Sequence, residues 1–405
     1  MMKYFKNDNI GEYDYPLPAD RIALHPLGQR DASRLLVYKN GRISDDHFMN
    51  LPNHLSQTTL VMNNTRVIEA RILFQKSTGA HIEIFCLEPH EESIEQSLHK
   101  KGSVKWNCLI GGASKWKRGM VLQKNITVNE LDTVLSAHYI EKSGDSFVIE
   151  FTWEPAAASF AEIIHVAGDI PLPPYIKRKT NEEDKERYQT IFSRQEGSVA
   201  APTAALHFSP ASFEALKEKN NSVLFITLHV GAGTFKPVKT ERFSEHSMHA
   251  EPFSVNREVL QKLIESDNII AVGTTSLRSL ESLHWIGLKR MMSSAEDWTL
   301  RQWEAYDLDE KYPGVDYKKT FAALVTWMDE NDQHMLHCST SLMIVPGYRF
   351  SIPVGLVTNF HQPQSTLLLL VSAFIGEDWK QVYQHALDHQ YRFLSYGDSS
   401  LLWRK

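Results

Sequence analysis

Cysteine is nearly missing from this 405-residue chain: Cys86, Cys108 and Cys338 are far apart and form no CxxC pair. That excludes a disulfide framework or a cysteine zinc site and fits a reducing cytoplasm. The longest apolar run covers only residues 367–375, against the ~20 residues a membrane span needs. The opening MMKYFKNDNIGEYDYPLP has no apolar h-region, so neither secretion nor membrane anchoring is expected. No Gly-x-Gly-x-x-Gly follows a strand, and there is no GxxxxGKS/T loop and no Gly-x-Ser-x-Gly elbow, which removes the main support for nucleotide-dehydrogenase, P-loop and hydrolase readings. A strong positive field is missing too. With 43 Lys+Arg against 49 Asp+Glu and a formal charge of −6, any RNA contact must use a local patch. The hydrophobic fraction of 42%, the charged fraction of 23%, 20 Gly and 17 Pro are those of a folded globular chain, long enough for two or three domains.

The texture changes twice along the chain. An N-terminal segment carries an apolar run before Lys39-Asn40-Gly41, which reads as a hairpin, and a buried strand at 59–62. From 67 to 153 short β-rich runs follow one another (67–74, 81–87, 104–110, 119–122, 126–128, 134–140 and 147–153) with no helix between them, the pattern of a small antiparallel barrel or sandwich. Beyond 155, helical patterns at 160–166, 210–219, 257–266, 277–285, 367–375 and 379–389 alternate with apolar strands at 223–229, 268–272 and 354–359, which is α/β. The expected architecture is therefore an α/β main domain, residues 1–66 and 156–405, with a small antiparallel β-barrel domain inserted at 67–155. The tryptophan-rich, acidic stretch 289–338 reads as an elaboration on the main domain's surface.

Two strand-to-helix junctions stand out. Leu228-His229-Val230-Gly231-Ala232-Gly233-Thr234-Phe235 follows a strand, and its spaced glycines permit close approach of a ligand or simply a tight turn beside a packed histidine. Gly273-Thr274-Thr275-Ser276-Leu277-Arg278 opens a helix with small hydroxyl residues that can cap it or offer N–H groups to an oxygen anion. His246-x-x-His249-x-Glu251 has ligand-type residues, but Pro252 and the lack of amphipathic period make it a loop of hydrogen-bonding groups, with no clear third ligand for a metal. His337-Cys338 with His334 reads as surface packing. The small-residue run at 197–209 presents Thr203 and His207, and Thr358-Asn359-Phe360-His361 ends a strand ahead of a helix that Ser365 can cap. Basic clusters with a neighbouring aromatic, Tyr175-Ile176-Lys177-Arg178-Lys179 and Lys115-Trp116-Lys117-Arg118, fit phosphate contact or solvated loops.

Taken in order, these segments resemble the S-adenosylmethionine:tRNA ribosyltransferase-isomerase family of queuosine biosynthesis. The resemblance rests on Asp20-Arg21-Ile22-Ala23-Leu24-His25-Pro26, Arg30-Asp31-Ala32-Ser33-Arg34, Asn64-Thr65-Arg66-Val67, residues 171–178, Tyr188-Gln189-Thr190, residues 200–208, His229 to Phe235, Met248-His249-Ala250-Glu251, Gly273 to Arg278, Thr358 to His361, and Phe393-Leu394-Ser395-Tyr396-Gly397-Asp398. It runs the length of the chain, and the β block is matched by position. It implies transfer and isomerisation of the ribosyl part of S-adenosylmethionine, a co-substrate, onto 7-aminomethyl-7-deazaguanine at the wobble position of tRNA, with adenine and methionine released, by a cytoplasmic monomer that uses no metal and no membrane. The sulfonium acidifies the C5′ protons, so a base near C5′ is required; His207, His229 and His249 are candidates, with Glu251 beside them. The resemblance further implies that Thr203, Gly231, Gly233, Thr234, Phe235, Thr274, Ser276, Asn359 and His361 bind the co-substrate, and that Arg66, Lys177, Arg178 and Arg278 meet the RNA or a substrate carboxylate. Asn64, Ala205 and Gln364 depart from the aspartate, glycine and lysine usual there. A non-catalytic RNA-binding paralogue and another S-adenosylmethionine-dependent transferase are the competing readings.

Overall fold

Four apolar runs, Ser222–Leu228, Thr59–Asn63, Ile269–Val272 and Gly355–Asn359, lie side by side as parallel strands in that order in a computed structural model that describes residues 8–144, 146–231, 240–293 and 296–405. Three of the four are buried along almost their whole length, as expected for strands covered on both faces. Because they run the same way, their carboxyl ends share one edge, where the loops led by Asn64, His229, Gly273 and Phe360 emerge together. A crevice beyond such an edge is where open α/β sheets bind ligands.

The sheet continues to ten strands. On one side Glu251–Asn256 joins Ser222–Leu228 antiparallel, followed by Met335–Thr340 and Thr299–Leu300. On the other, Ser399–Trp403 joins Gly355–Asn359, then Arg34–Lys39 and Arg42–His47. The last two form the expected hairpin, with Asn40 at φ 51° and Gly41 at φ 77°, the left-handed pair that a tight two-residue turn demands. Helices start where the sequence places caps: Ser159 boxes with Glu162, Ser209 precedes Pro210, and Ser365 Oγ accepts from Leu368 N.

The β-rich block forms a curled, seven-stranded antiparallel sheet ordered Gly168–Asp169, Arg71–Gln75, His81–Pro89, Ser103–Gly111, Ser146–Glu154, Leu131–Ser143 and Val121–Val128. Arg71–Gln75 and Val121–Val128 approach each other across the curl but are not neighbours in the hydrogen-bonded order. The runs expected at 119–122 and 126–128 are one strand. The run expected at 67–74 is two, since Thr65–Val67 pairs with Gln195–Ser198 and only Arg71–Gln75 enters the curled sheet. A separate core fills the curl, with Trp106, Phe151, Trp153 and Ile149 packed on Phe160, Ile163 and Ile164 of the helix Phe160–Ala167. The short helix Ile94–His99, capped by Ser93, was not expected, because six polar-rich residues carry too little periodicity to show.

The stretch 289–338 is not a surface elaboration. The helix Thr274–Met292 runs into it, Met335–Thr340 is a strand of the main sheet, and Phe321, Leu324, Val325 and Met328 of the helix Tyr317–Glu330 are buried in the main core. Spaced i, i+3, i+4 and i+7, these four form one apolar stripe, which the acidic composition masked. No helix among the described residues is long and apolar enough to cross a membrane.

Candidate active site

Where the carboxyl edge of the parallel strands faces the curled sheet, a cavity of about 440 Å³ opens. Leu87, Pro89, Glu92, Ile94 and Glu95 form the wall from the β-rich block; His229, Val230, Gly231, the segment His246–Ser254 and Arg278 form the opposite one. A second recess of about 100 Å³ adjoins it, sharing Val230, Thr366 and Leu367 and lined by Tyr188, Thr203, Gly273, Thr274, Thr358, Asn359 and His361. Two regions far apart in sequence, 197–206 and 358–367, thus meet the Gly273 junction in one crevice.

His229 follows directly on the strand Ser222–Leu228, whose end is clamped by Asn63: the Asn63 amide donates to Leu228 O at 2.9 Å and accepts from Leu228 N at 3.1 Å. Thr65 Oγ1 donates to Gln195 O at 3.3 Å and lies 3.1 Å from His229 Nδ1. With the hydroxyl proton so used, Nδ1–H donates to Thr65 and the lone pair stays on Nε2. Burial lowers the ring's pKa to about 4, so His229 is neutral, with an unprotonated ring nitrogen, at neutral pH. Gly197 makes room for it: at φ 138°, a Cβ there would fall 2.9 Å from His229 Nδ1 and 2.8 Å from Ile94 Cγ1.

Glu251 and Arg278 form a buried pair in the same wall, with Nη1 to Oε2 at 2.7 Å and each side chain only 9% exposed. Arg278 Nε also donates to Leu342 O at 3.1 Å. His249 is exposed at the rim, and neighbouring His246 has its pKa lowered by burial and by the proximity of His249. Gln302 fixes this rim, donating to His246 O at 2.6 Å and accepting from Met248 N at 3.0 Å.

His207 is elsewhere. The Asn359 amide donates to Leu394 O and Ser395 O, so its oxygen accepts from His207 Nε2 at 3.0 Å, and Nδ1 accepts from the Ser33 hydroxyl at 2.8 Å. Both ring nitrogens are committed, burial holds the pKa near 4, and the ring borders a small recess beside Arg30, Arg187 and Arg392 rather than the large cavity. Ser276 is fully buried and turns its hydroxyl to Val272 O, while His361 borders the smaller recess with Nε2 on Thr358 Oγ1 at 2.9 Å and its pKa lowered to about 3 by burial. Gly233, Thr234 and Phe235 lie outside the described residues.

The basic candidates divide. Arg66, paired loosely with Glu196 at 3.7 Å, and Lys177 are exposed. Arg178 instead makes two bonds of 2.6 and 2.7 Å to Asp184, a carboxylate 1% exposed, and another to Leu24 O. Sequence reasoning missed the Glu92–Glu95 wall and Gln302, gave Tyr188 no role, left His246 as a hydrogen-bonding loop residue and read His337 and Cys338 as surface packing; all of them line or brace the cavities. His337 and Cys338 are carried in by pairing opposite Ser254 and Phe253, a non-local register with no signal in either segment; burial raises the Cys338 thiol's pKa, which keeps it protonated.

The family model for the queuosine biosynthesis protein matches residues 10–402. The S-adenosylmethionine:tRNA ribosyltransferase-isomerase of Caulobacter vibrioides is 37% identical over 98% of this chain and 98% of its own length. Those of Thermotoga petrophila, at 37%, and Pelobacter propionicus, at 35%, each cover 97% of this chain and 99% of their own. A solved S-adenosylmethionine tRNA ribosyltransferase from Thermotoga maritima is 28% identical, covers 96% of this chain and 99% of its own, and superposes with a TM-score of 0.45. With a family match from end to end and full-length relatives well above 30% identity, this chain belongs to the S-adenosylmethionine:tRNA ribosyltransferase-isomerase family of queuosine biosynthesis.

Proposed function

We propose that the chain transfers and isomerises the ribosyl part of S-adenosylmethionine onto 7-aminomethyl-7-deazaguanine at the tRNA wobble position, giving epoxyqueuosine-tRNA, adenine and methionine. The observation that carries this reading is a neutral, oriented His229 at the carboxyl edge of the parallel strands, facing a cavity large enough for a nucleoside co-substrate. The co-substrate's sulfonium makes its C5′ protons acidic, and His229 Nε2 is the base that takes one; His207, with no free ring nitrogen, is a structural residue that ties Ser33 to Asn359. Glu88, Glu92 and Glu95 in the opposite wall suit a cationic sulfonium and a protonated aminomethyl group. Enclosure between two sheets keeps water from the reactive sugar once adenine leaves.

Thr203, Gly231, Thr274, Asn359 and His361 border the two recesses and in this reading shape the co-substrate pocket; Asn359 does so by holding His207 and the 394–395 backbone. Arg66 and Lys177, exposed, are the cations for RNA phosphates. The β-rich block is read as an inserted unit beginning at 67, supported by its own core. That core includes the helix Phe160–Ala167, which favours a far boundary near 169 rather than 155.

The test is incubation with S-adenosylmethionine and tRNA bearing the deazaguanine precursor. Adenine release that depends on that tRNA supports the transferase; binding of the tRNA without release supports a non-catalytic paralogue; a methylated product contradicts both.

A further inference from the structure

The cavity wall holds one cation whose hydrogen bonding is incomplete. Arg278 spends Nη1 on Glu251 and Nε on Leu342 O, which locks the guanidinium plane, yet Nη2 is buried without an acceptor. An unpaired donor on a buried charge is costly, and such a group calls for a partner that completes it, a water, an ion or a ligand. Across the pair, Glu251 Oε2 takes the guanidinium while Oε1 has no hydrogen-bond partner among the described residues. The wall therefore offers an unused NH2 group on a cation beside one unused acceptor on an anion.

Resting on the ribosyl-transfer reading above, we propose that the Arg278–Glu251 pair binds the amino-acid end of S-adenosylmethionine, with the α-carboxylate on Arg278 Nη2 and the α-ammonium on Glu251 Oε1. The charges match: a zwitterion laid antiparallel on an ion pair buries no net charge, whereas an RNA phosphate would leave an uncompensated anion against a neutral pair. The side chain's 9% exposure also removes Arg278 from any RNA-facing surface. Nη2 is sealed from bulk water, so the carboxylate reaches it by displacing side chains of the cavity wall around Arg278. The planar guanidinium can hold Glu251, Leu342 O and a carboxylate at once through three different nitrogens, and a lysine, with a single ammonium, does not reproduce that.

Calorimetric binding of S-adenosylmethionine and of its decarboxylated form to the full-length protein tests this without any mutation. The wild type is expected to bind the decarboxylated form at least tenfold more weakly. Arg278→Lys is expected to weaken S-adenosylmethionine tenfold or more and to bring the two ligands within threefold of each other, and Glu251→Gln to weaken both. Equal affinities for the two ligands in the wild type overturn the assignment while leaving ribosyl transfer standing. No binding of either ligand also overturns the assignment, while tRNA-dependent adenine release tests ribosyl transfer separately.

Discussion

Replacing His207 with alanine separates a structural histidine from a catalytic one. The substitution orphans the Ser33 hydroxyl and the Asn359 amide oxygen, each 2% exposed, at about 1–3 kcal/mol apiece, before counting the space left by the ring. The expected loss of about 2–6 kcal/mol is a large part of the ~5–15 kcal/mol that holds a domain folded. The loss also depends on pH. Burial depresses this ring from 6.5 to about 4, so between those values the unfolded chain binds a proton that the folded chain refuses, and the wild type loses stability as pH falls. Over roughly 2–3 pH units at ~1.4 kcal/mol each, the wild type forfeits about 3 kcal/mol that the variant does not. The variant's deficit is therefore largest above pH 6.5 and smaller, by about 2 kcal/mol, at pH 5. Urea unfolding at pH 7.5 and pH 5.0, with adenine release measured below the variant's unfolding temperature, reads both quantities. An unchanged midpoint with turnover down a hundredfold, or an equal deficit at the two pH values, refutes the structural assignment.

Other perturbations have definite signs. Gly197→Ala should cut turnover at least tenfold, since the new Cβ collides with His229 Nδ1 and Ile94; steady-state kinetics at wild-type fold, checked by circular dichroism, would show it. Arg178→Ala, which strands the buried Asp184 carboxylate, should cost about 3–5 kcal/mol in urea unfolding with little effect on tRNA affinity once folded, whereas Lys177→Ala should weaken tRNA binding and flatten its salt dependence. Glu281, buried and accepting from Tyr348, Ser351 and Ile352, has its pKa raised to about 7. Its folded value exceeds its unfolded one, so wild-type stability falls as pH rises from about 4.5 through 7. Glu281→Gln should remove up to ~3 kcal/mol of that fall in urea titrations across this range.

What the sequence conveyed depended on distance along the chain. The Asn40-Gly41 turn, the helix cap at Ser365 and the alternation beyond residue 155 are local, and each was legible. The candidate site was legible only in pieces: His229 and Thr274 sit on recognisable junctions, while Glu251, expected in a loop, opens the strand Glu251–Asn256, and nothing local to His207 separated it from His229, because the difference lies in partners at positions 33, 359 and 65. The role of 289–338 was obscured for a related reason. Its acidic surface dominates the composition, while its buried stripe and its strand register opposite Glu251–Asn256 emerge only in three dimensions. Curvature of the β-rich sheet is likewise invisible in strand patterning, which fixes alternation but not whether the outer strands meet.

The most direct measurement is single-turnover adenine release from S-adenosylmethionine in the presence of precursor tRNA, comparing the wild type with His229→Ala and His207→Ala. Ribosyl transfer with His229 as the base requires tRNA-dependent release by the wild type, at least a hundredfold slower release in His229→Ala, and a rate within a few-fold of wild type in folded His207→Ala. Release by His229→Ala at the wild-type rate would contradict it.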